Sequence, residues 1–301
     1  MWKTIFNWSK NNSMVESLPE GIDKIQIGSG VYNVKSYAEV GKPYGAIYAK
    51  TFKRDAEGYI LCQLDGSPKE GQDYEYLGCV QADWRGGWNN VFRLGNFSFS
   101  VMFDFQKGGK FFSQTSIQSS VDGQSVKSLE GRDADFFSRK ILGESDEERY
   151  GFMRPQNANT PTANGQIYPD WGRPKGVVLP NCRYDEDVEG LAGQQVLGYC
   201  TPERYWMHYT SRDISRFIYD ASYVKLREIT VSYDLPKKWL RKTPFQTFRV
   251  AAVGRNIATL FANTPHGLDP QATSTTGNAQ GFERGFNLPS ATYGFDIKVS
   301  F

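Results

Sequence analysis

Residues 291–301 read ATYGFDIKVSF. Tyr293, Phe295, Ile297, Val299 and Phe301 fall on one side of an extended chain, and Thr292, Gly294, Asp296, Lys298 and Ser300 on the other. A period of two marks a β-strand, because successive side chains leave the pleat in opposite directions. A strand of this kind suits a β-sandwich, where the large face would be core and the small face solvent. It also suits a transmembrane barrel, where the large face meets lipid and the small face a wet lumen.

The design recurs upstream. In 246–257, Phe248, Val250 and Ala252 alternate with Arg249, Ala251 and Val253. In 222–235 (SYVKLREITVSYDL), Ile229, Val231, Tyr233 and Leu235 share a face, and Pro236 ends the strand for want of an N–H. Residues 97–106 (FSFSVMFDFQ) set Phe97, Phe99, Val101, Phe103 and Phe105 against Ser98, Ser100, Met102, Asp104 and Gln106. In 84–94 (WRGGWNNVFRL), Trp84, Trp88, Phe92 and Leu94 align, and Gly95-Asn96 is a tight-turn pair joining the two stretches as a hairpin. These runs approach the ~9–11 residues a tilted strand needs to cross hydrocarbon. Their length, the continuous aromatic face and the polar opposite face favour the barrel over the sandwich. Residues 107–221 are rich in Gly, Pro, Asn and Asp with weak periodicity, and read as a long loop region. Such a connection is unusual in a compact domain and ordinary for extracellular barrel loops.

Composition narrows the chemistry. Among 301 residues, 35 Lys and Arg nearly balance 33 Asp and Glu, which gives no support to a nucleic-acid groove. Aromatic residues make up 15% of the chain, a content that suits strands and interfaces. The longest apolar runs, such as Val250 to Val253, fall far short of the ~20 residues a membrane helix requires. Met1-Trp2-Lys3-Thr4-Ile5-Phe6 has no apolar signal-peptide core, so an exported protein would need its leader upstream.

No catalytic constellation stands out, and the chain reads as a non-enzyme without a cofactor. The two histidines, His208 and His266, lack a spaced second ligand for a metal. The acidic run Asp185, Glu186, Asp187 and Glu189 lacks the spaced Asp/Asn-Gly pattern of a calcium loop and reads as solvated. Cys62–Cys79 and Cys182–Cys200 are the local pairs open to disulfide formation; four unpaired thiols are the alternative. Trp171, Trp206 and Tyr209 are the loop aromatics placed to touch a substrate or partner, with loop packing or an interfacial girdle as the competing roles.

Several stretches resemble the SusC/RagA family of TonB-linked outer-membrane transporters. They are 41–48 (GKPYGAIY), 84–109 (WRGGWNNVFRLGNFSFSVMFDFQKGG), 221–235 (ASYVKLREITVSYDL), 249–257 (RVAAVGRNI), 267–270 (GLDP) and the closing strand. No single motif decides it; their order and spacing do. The resemblance covers most of the chain and is weakest across 110–215.

The resemblance implies an all-β fold: the C-terminal portion of an antiparallel 22-stranded barrel with long extracellular loops. Its strands lie near 84–94, 97–106, 222–235, 246–257 and 291–301, and the signal peptide, plug and early strands are missing. It implies residence in the outer membrane of a Gram-negative, Bacteroidetes-like cell and contact with outer-membrane lipid. It further implies active import of oligosaccharides or peptides with a SusD-like surface lipoprotein, powered by the TonB complex acting through the missing N-terminal part. The last strand then runs toward the periplasm. Tyr293, Phe295, Ile297, Val299 and Phe301 look like the signal by which barrels are recognised for assembly. A secreted β-rich carbohydrate-binding module is the alternative.

Overall fold

The computed structural model describes residues 1–129, 177–200, 202–265, 267–272, 277, 280–285 and 289–301. In chain order the first strands are β1 (Trp2–Ser9), β2 (Lys24–Ser29), β3 (Lys35–Glu39), β4 (Ala46–Ala49), β5 (Ile60–Cys62) and β6 (Glu75–Cys79). Then come β7 (Trp84–Leu94), β8 (Phe97–Lys107), β9 (Lys110–Ser113) and helix α1 (Gln114–Val121). The remainder is β10 (Val177–Tyr184), β11 (Gln195–Cys200), β12 (Ile218–Asp220), β13 (Tyr223–Asp234), β14 (Thr247–Ala262), β15 (Phe282–Glu283) and β16 (Thr292–Ser300). The stretch 107–221, read from sequence as a loop region, thus carries β9 to β12 and α1 among its described residues.

Six strands form one antiparallel wall in the order β1-β7-β8-β13-β14-β16. β1 is a wall strand at the start of the chain, outside the five expected from sequence. Its Trp2, Thr4, Phe6 and Trp8 share a face with Phe92, Asn90 and Trp88 of β7. Trp2 stacks on Phe92 with ring centroids 6.2 Å apart, and Phe6 on Phe105 at 5.8 Å. Two indole N–H groups on this face find partners: Trp88 donates to Thr4 Oγ1 at 2.8 Å and Trp2 to Asn90 Oδ1 at 3.2 Å. Gly86 is required here, because a Cβ would stand 2.1 Å from the Phe105 ring.

The registers put Phe97, Phe99, Val101, Ile229, Val231, Tyr233, Val250, Ile297 and Phe295 on that same face. Among the described residues no second sheet covers it: Tyr293 is 76% and Phe295 86% exposed. In water an apolar sheet face of this size would be a liability; in a bilayer it is what a barrel wall presents. The opposite face carries Asp104, Glu228, Arg249, Arg255, Asp296 and Lys298. Neighbouring strands pair along their lengths, interrupted at irregularities of β13, so most backbone polar groups of the wall are satisfied within it, as lipid demands.

The two ends of the wall differ. At one end the connections are short: Gly95-Asn96, with Gly95 at the positive φ of 59° that tight hairpin turns demand, and 235–246, which contains the helical turn Lys237–Leu240. At the other end the chain makes three long excursions, 10–83, 108–222 and 263–291. Outer-membrane barrels have short periplasmic turns and long extracellular loops, which sets the excursions outside.

The excursions fold together as a cap. Its three small sheets run β2-β3-β4-β6, β11-β10-β5 and β12-β9-β15, the last two mixing strands from different excursions. One core gathers Phe52, Ile60 and Cys62 with Cys182, Tyr184, Val196, Cys200, Tyr205, Trp206 and Tyr209. A second joins Val34, Ile47 and Ala49 to Phe112, Ile117, Ile214 and Phe217, and closes on Phe282 of the last excursion. Polar ties cross the same boundaries. Asp185 is buried and accepts from Lys53 at 2.8 Å and Lys69 at 2.8 Å; Lys69 also meets Asp187 at 2.5 Å. Burial works against the charged carboxyl of Asp185, but the lysine hydrogen bonds and the Glu186 N–H prevail and hold it down at about 2. Of the acidic run read as a solvated loop, Glu186, Asp187 and Glu189 are exposed, but Asp185 is buried and clamps the first two excursions together.

Candidate functional site: the lumen face below the cap

Strict alternation along β13 would send Tyr223, Lys225 and Arg227 to the same side as Ile229, into lipid. The strand avoids this with a bulge. Its registers against both neighbours shift between Leu226 and Glu228. Above the bulge the odd-numbered Tyr223 and Lys225 face the lumen, and below it the even-numbered Glu228, Thr230 and Ser232 do. Arg227 is the extra residue against β8. β14 answers at the same level with Asn256, held at a φ of 53°, a region Asn tolerates better than most residues. Arg227 Nη1 donates to Asn256 Oδ1 at 3.3 Å.

The bulge gathers a polar cluster on the lumen side. Lys225, only 1% exposed, donates to both carboxylate oxygens of Asp269 at 2.6 and 2.5 Å and to Gln271 Oε1 at 3.0 Å. Arg227 pairs with Asp104 and donates to Gln271 Oε1 at 2.8 Å. Gln271 Nε2 donates to the Tyr223 hydroxyl at 2.6 Å, which donates to Asp104 at 3.2 Å. Asp269 also turns its own segment, accepting from the Gln271 N–H at 2.7 Å. Alongside lies a cavity of about 300 Å³ lined by Arg85, Gln106, Tyr223, Pro270, Gln271 and Gln280. This constellation is a network of ion pairs and hydrogen bonds that holds Asp269 and Gln271 against the wall; it contains no nucleophile–base pair. Further down the lumen face, Arg255 pairs with Glu228 at 2.9 Å and Arg249 with Asp234 at 2.6 Å.

The residues singled out from sequence are placed elsewhere. Trp206 and Tyr209 are buried in the first cap core, where Trp206 meets Tyr205 at 5.1 Å and Tyr209 faces Phe52 at 6.5 Å. They take the packing role, their rings buried in the apolar interior of the cap. Trp171 and His266 lie outside the described residues. His208 is exposed on the helical turn that holds Trp206 and Tyr209. Tyr293, Phe295, Ile297 and Val299 line the lipid face of β16.

Neither possible disulfide forms: none of the four cysteines is in a disulfide. Cys79 sits on β6, in a different sheet from Cys62. Cys182 lies opposite Val196, whereas Cys200 lies opposite Val177 at the far end of the same ladder, out of bonding range. Sequence-local loops misled here because strand pairing, not chain separation, decides which thiols meet. Cys62 instead hydrogen-bonds Cys182, which with burial pushes its thiol well up; burial, aided by the Asp65 carboxylate and opposed by Arg204 and Arg212, carries Cys200 up to about 12.

The cluster was missed in sequence although it left a signal: two cations, Lys225 and Arg227, at lipid-facing parity in an otherwise well-patterned strand. A charge that cannot be left in hydrocarbon implies a register change.

No family model matches the chain. Over 314 aligned residues it is 23% identical to the TonB-dependent receptor P3 of Formosa agariphila, covering 97% of this chain and 25% of that protein. It superposes over its whole length on solved structures of the RagAB peptide transporter at a TM-score of 0.51 and 13% identity. The RagAB importer in its open-open and closed-closed states each give 0.52, at 14% and 15% identity. The fold is that of a TonB-dependent transporter barrel. It is an outer-membrane β-barrel architecture, and the bare apolar wall and the polar lumen face agree with it residue by residue. The chain spans about a quarter of the length of these relatives. They are receptors and transporters, not enzymes.

Proposed function

We propose that this chain is the C-terminal part of the barrel of an active outer-membrane importer, supplying wall, extracellular cap and lumen-mouth surface. β16 runs toward the periplasm and carries, through Tyr293, Phe295, Ile297, Val299 and Phe301, the assembly signal. The plug, the remaining strands and the contact with the TonB complex belong to sequence upstream. The cargo is a bulky nutrient, an oligosaccharide or a peptide, captured with a SusD-like surface lipoprotein seated over the cap. The observation that carries this reading is the asymmetry of the wall: uncovered apolar face, charged lumen face, and three interlocked excursions at one end only. The lipid-type face speaks against a secreted carbohydrate-binding module, which would expose that face to water.

Deletion of the gene in its native host tests the reading. Uptake of a labelled oligosaccharide or oligopeptide should fall to background, and should fall equally in the parent when the proton gradient is collapsed. Recovery of the protein from the soluble secreted fraction, with uptake unchanged by the deletion, overturns the importer in favour of the secreted module.

A further inference from the structure

Two attachments of the last excursion have opposite chemistry. At the cap, Phe282 is fully buried in the second core, and β15 pairs with β9. The adjoining Glu283 accepts from Ser113 Oγ at 2.6 Å, Thr115 Oγ1 at 2.7 Å and the Thr115 N–H at 3.2 Å. This anchor is apolar packing plus a fully satisfied carboxylate. At the lumen, the attachment of Gly267–Ala272 rests on side-chain polar contacts to the wall: Asp269 to Lys225, and Gln271 to Lys225, Arg227 and Tyr223. Lys225 is the shared donor, and it lies on a wall strand that the ladder holds independently of the excursion.

We propose that Gly267–Ala272 is a strap latched to the lumen wall at its mouth: the Lys225–Asp269 pair closes the latch, and the anchor at Phe282–Glu283 is independent of it. Loss of the pair frees the strap from the lumen wall while the cap and the barrel stay folded. Lys225 is thus a positioning residue, setting the strap and, through it, the width of the passage beside Arg85 and Gln106. The role of the strap in passage rests on the importer reading; the latch itself does not.

Ala272 is buried at the strap's end and reports on release. In the full-length transporter on intact cells, with partly exposed Cys79 changed to Ser, Ala272→Cys is labelled with a membrane-impermeant maleimide. With the pair intact, labelling is slow. Lys225→Met or Asp269→Asn should accelerate it at least tenfold, and the exchange Lys225→Asp with Asp269→Lys should bring it back to within about threefold of the parent. Phe282→Ala should leave the rate at position 272 unchanged. Parental rates in both single variants, or an exchange that labels as fast as they do, overturn the latch. So does failure of both single variants to reach the outer membrane, because release is to leave the barrel intact. Uptake in the same strains separates the two readings: a latch that responds as stated in a protein that transports nothing refutes the importer alone.

Discussion

Asp185→Asn should unclamp the cap without disturbing the wall. Asp185 joins β10 of the second excursion to Lys53 and Lys69 of the first, and its side chain is only 3% exposed, so solvent screening does little to weaken the interaction. Its carboxyl is held at about 2 against an ordinary 3.8. At neutral pH that difference is worth about 2.5 kcal/mol to the folded cap. A depressed carboxyl stabilises fully above its ordinary range, and the contribution disappears as pH falls through about 2, so the loss runs between roughly pH 4 and 2. The assay is amide hydrogen exchange on the purified protein, followed peptide by peptide and corrected for intrinsic rates. Protection in β5 and β10 should drop about 60-fold in Asp185→Asn, the factor that 2.5 kcal/mol implies, while β13 and β14 stay as they are. The parent should lose the same protection on acidification, and the variant should show no further loss there. Asp187→Asn is the control: its side chain is 70% exposed, and its pair with Lys69 should contribute well under about 1 kcal/mol. A change of less than about threefold in Asp185→Asn, or an equal change in Asp187→Asn, refutes the clamp.

Gly86→Val should impair barrel assembly, because the new Cβ meets the Phe105 ring and overpacking of this kind costs about 1–3 kcal/mol; normal levels of heat-modifiable barrel in the membrane would contradict it. Phe295→Lys places a cation on the lipid face and should cost about 2–4 kcal/mol if the residue lies near the bilayer midplane, read as a lowered denaturant midpoint in lipid vesicles. An unchanged midpoint would mean that β16 does not face lipid. Without reductant, denatured protein should take up four alkyl groups, one per cysteine, whereas native protein should react only at Cys79. Cys62, Cys182 and Cys200 are buried, and Cys200, pushed up to about 12, has almost no thiolate at neutral pH. A mass showing two fewer alkylations would establish a disulfide.

Five wall strands were legible because each repeats a two-residue period over about ten residues, a pattern set by the pleat alone. β1 was not, since its eight residues (WKTIFNWS) alternate less cleanly, with Ile5 on the lumen face and Thr4 on the lipid face. Thr4 is tolerable in lipid only because the Trp88 indole bonds it, a contact made across two strands. The cap was illegible for a related reason. Its sheets pair β5 with β10 and β9 with β15, partners far apart in the chain, and no local pattern states which segments will meet. Trp206 and Tyr209 illustrate the consequence: aromatic residues in a polar stretch invite a binding role, and only the arrival of Phe52 and Val196 turns them into core.

What the sequence determined by itself is most of the wall: five of its six strands, which face of them is apolar, and that the closing strand ATYGFDIKVSF belongs to it. These follow from side-chain period and the cost of polar groups in hydrocarbon, both local quantities. Tertiary structure decided where the period breaks. The bulge at Leu226–Glu228 turns Lys225 and Arg227 inward, and their worth is realised only when Asp104 and the distant Asp269 and Gln271 arrive to pair them. A buried charge is affordable only with its partner, and that partner was fixed by the fold.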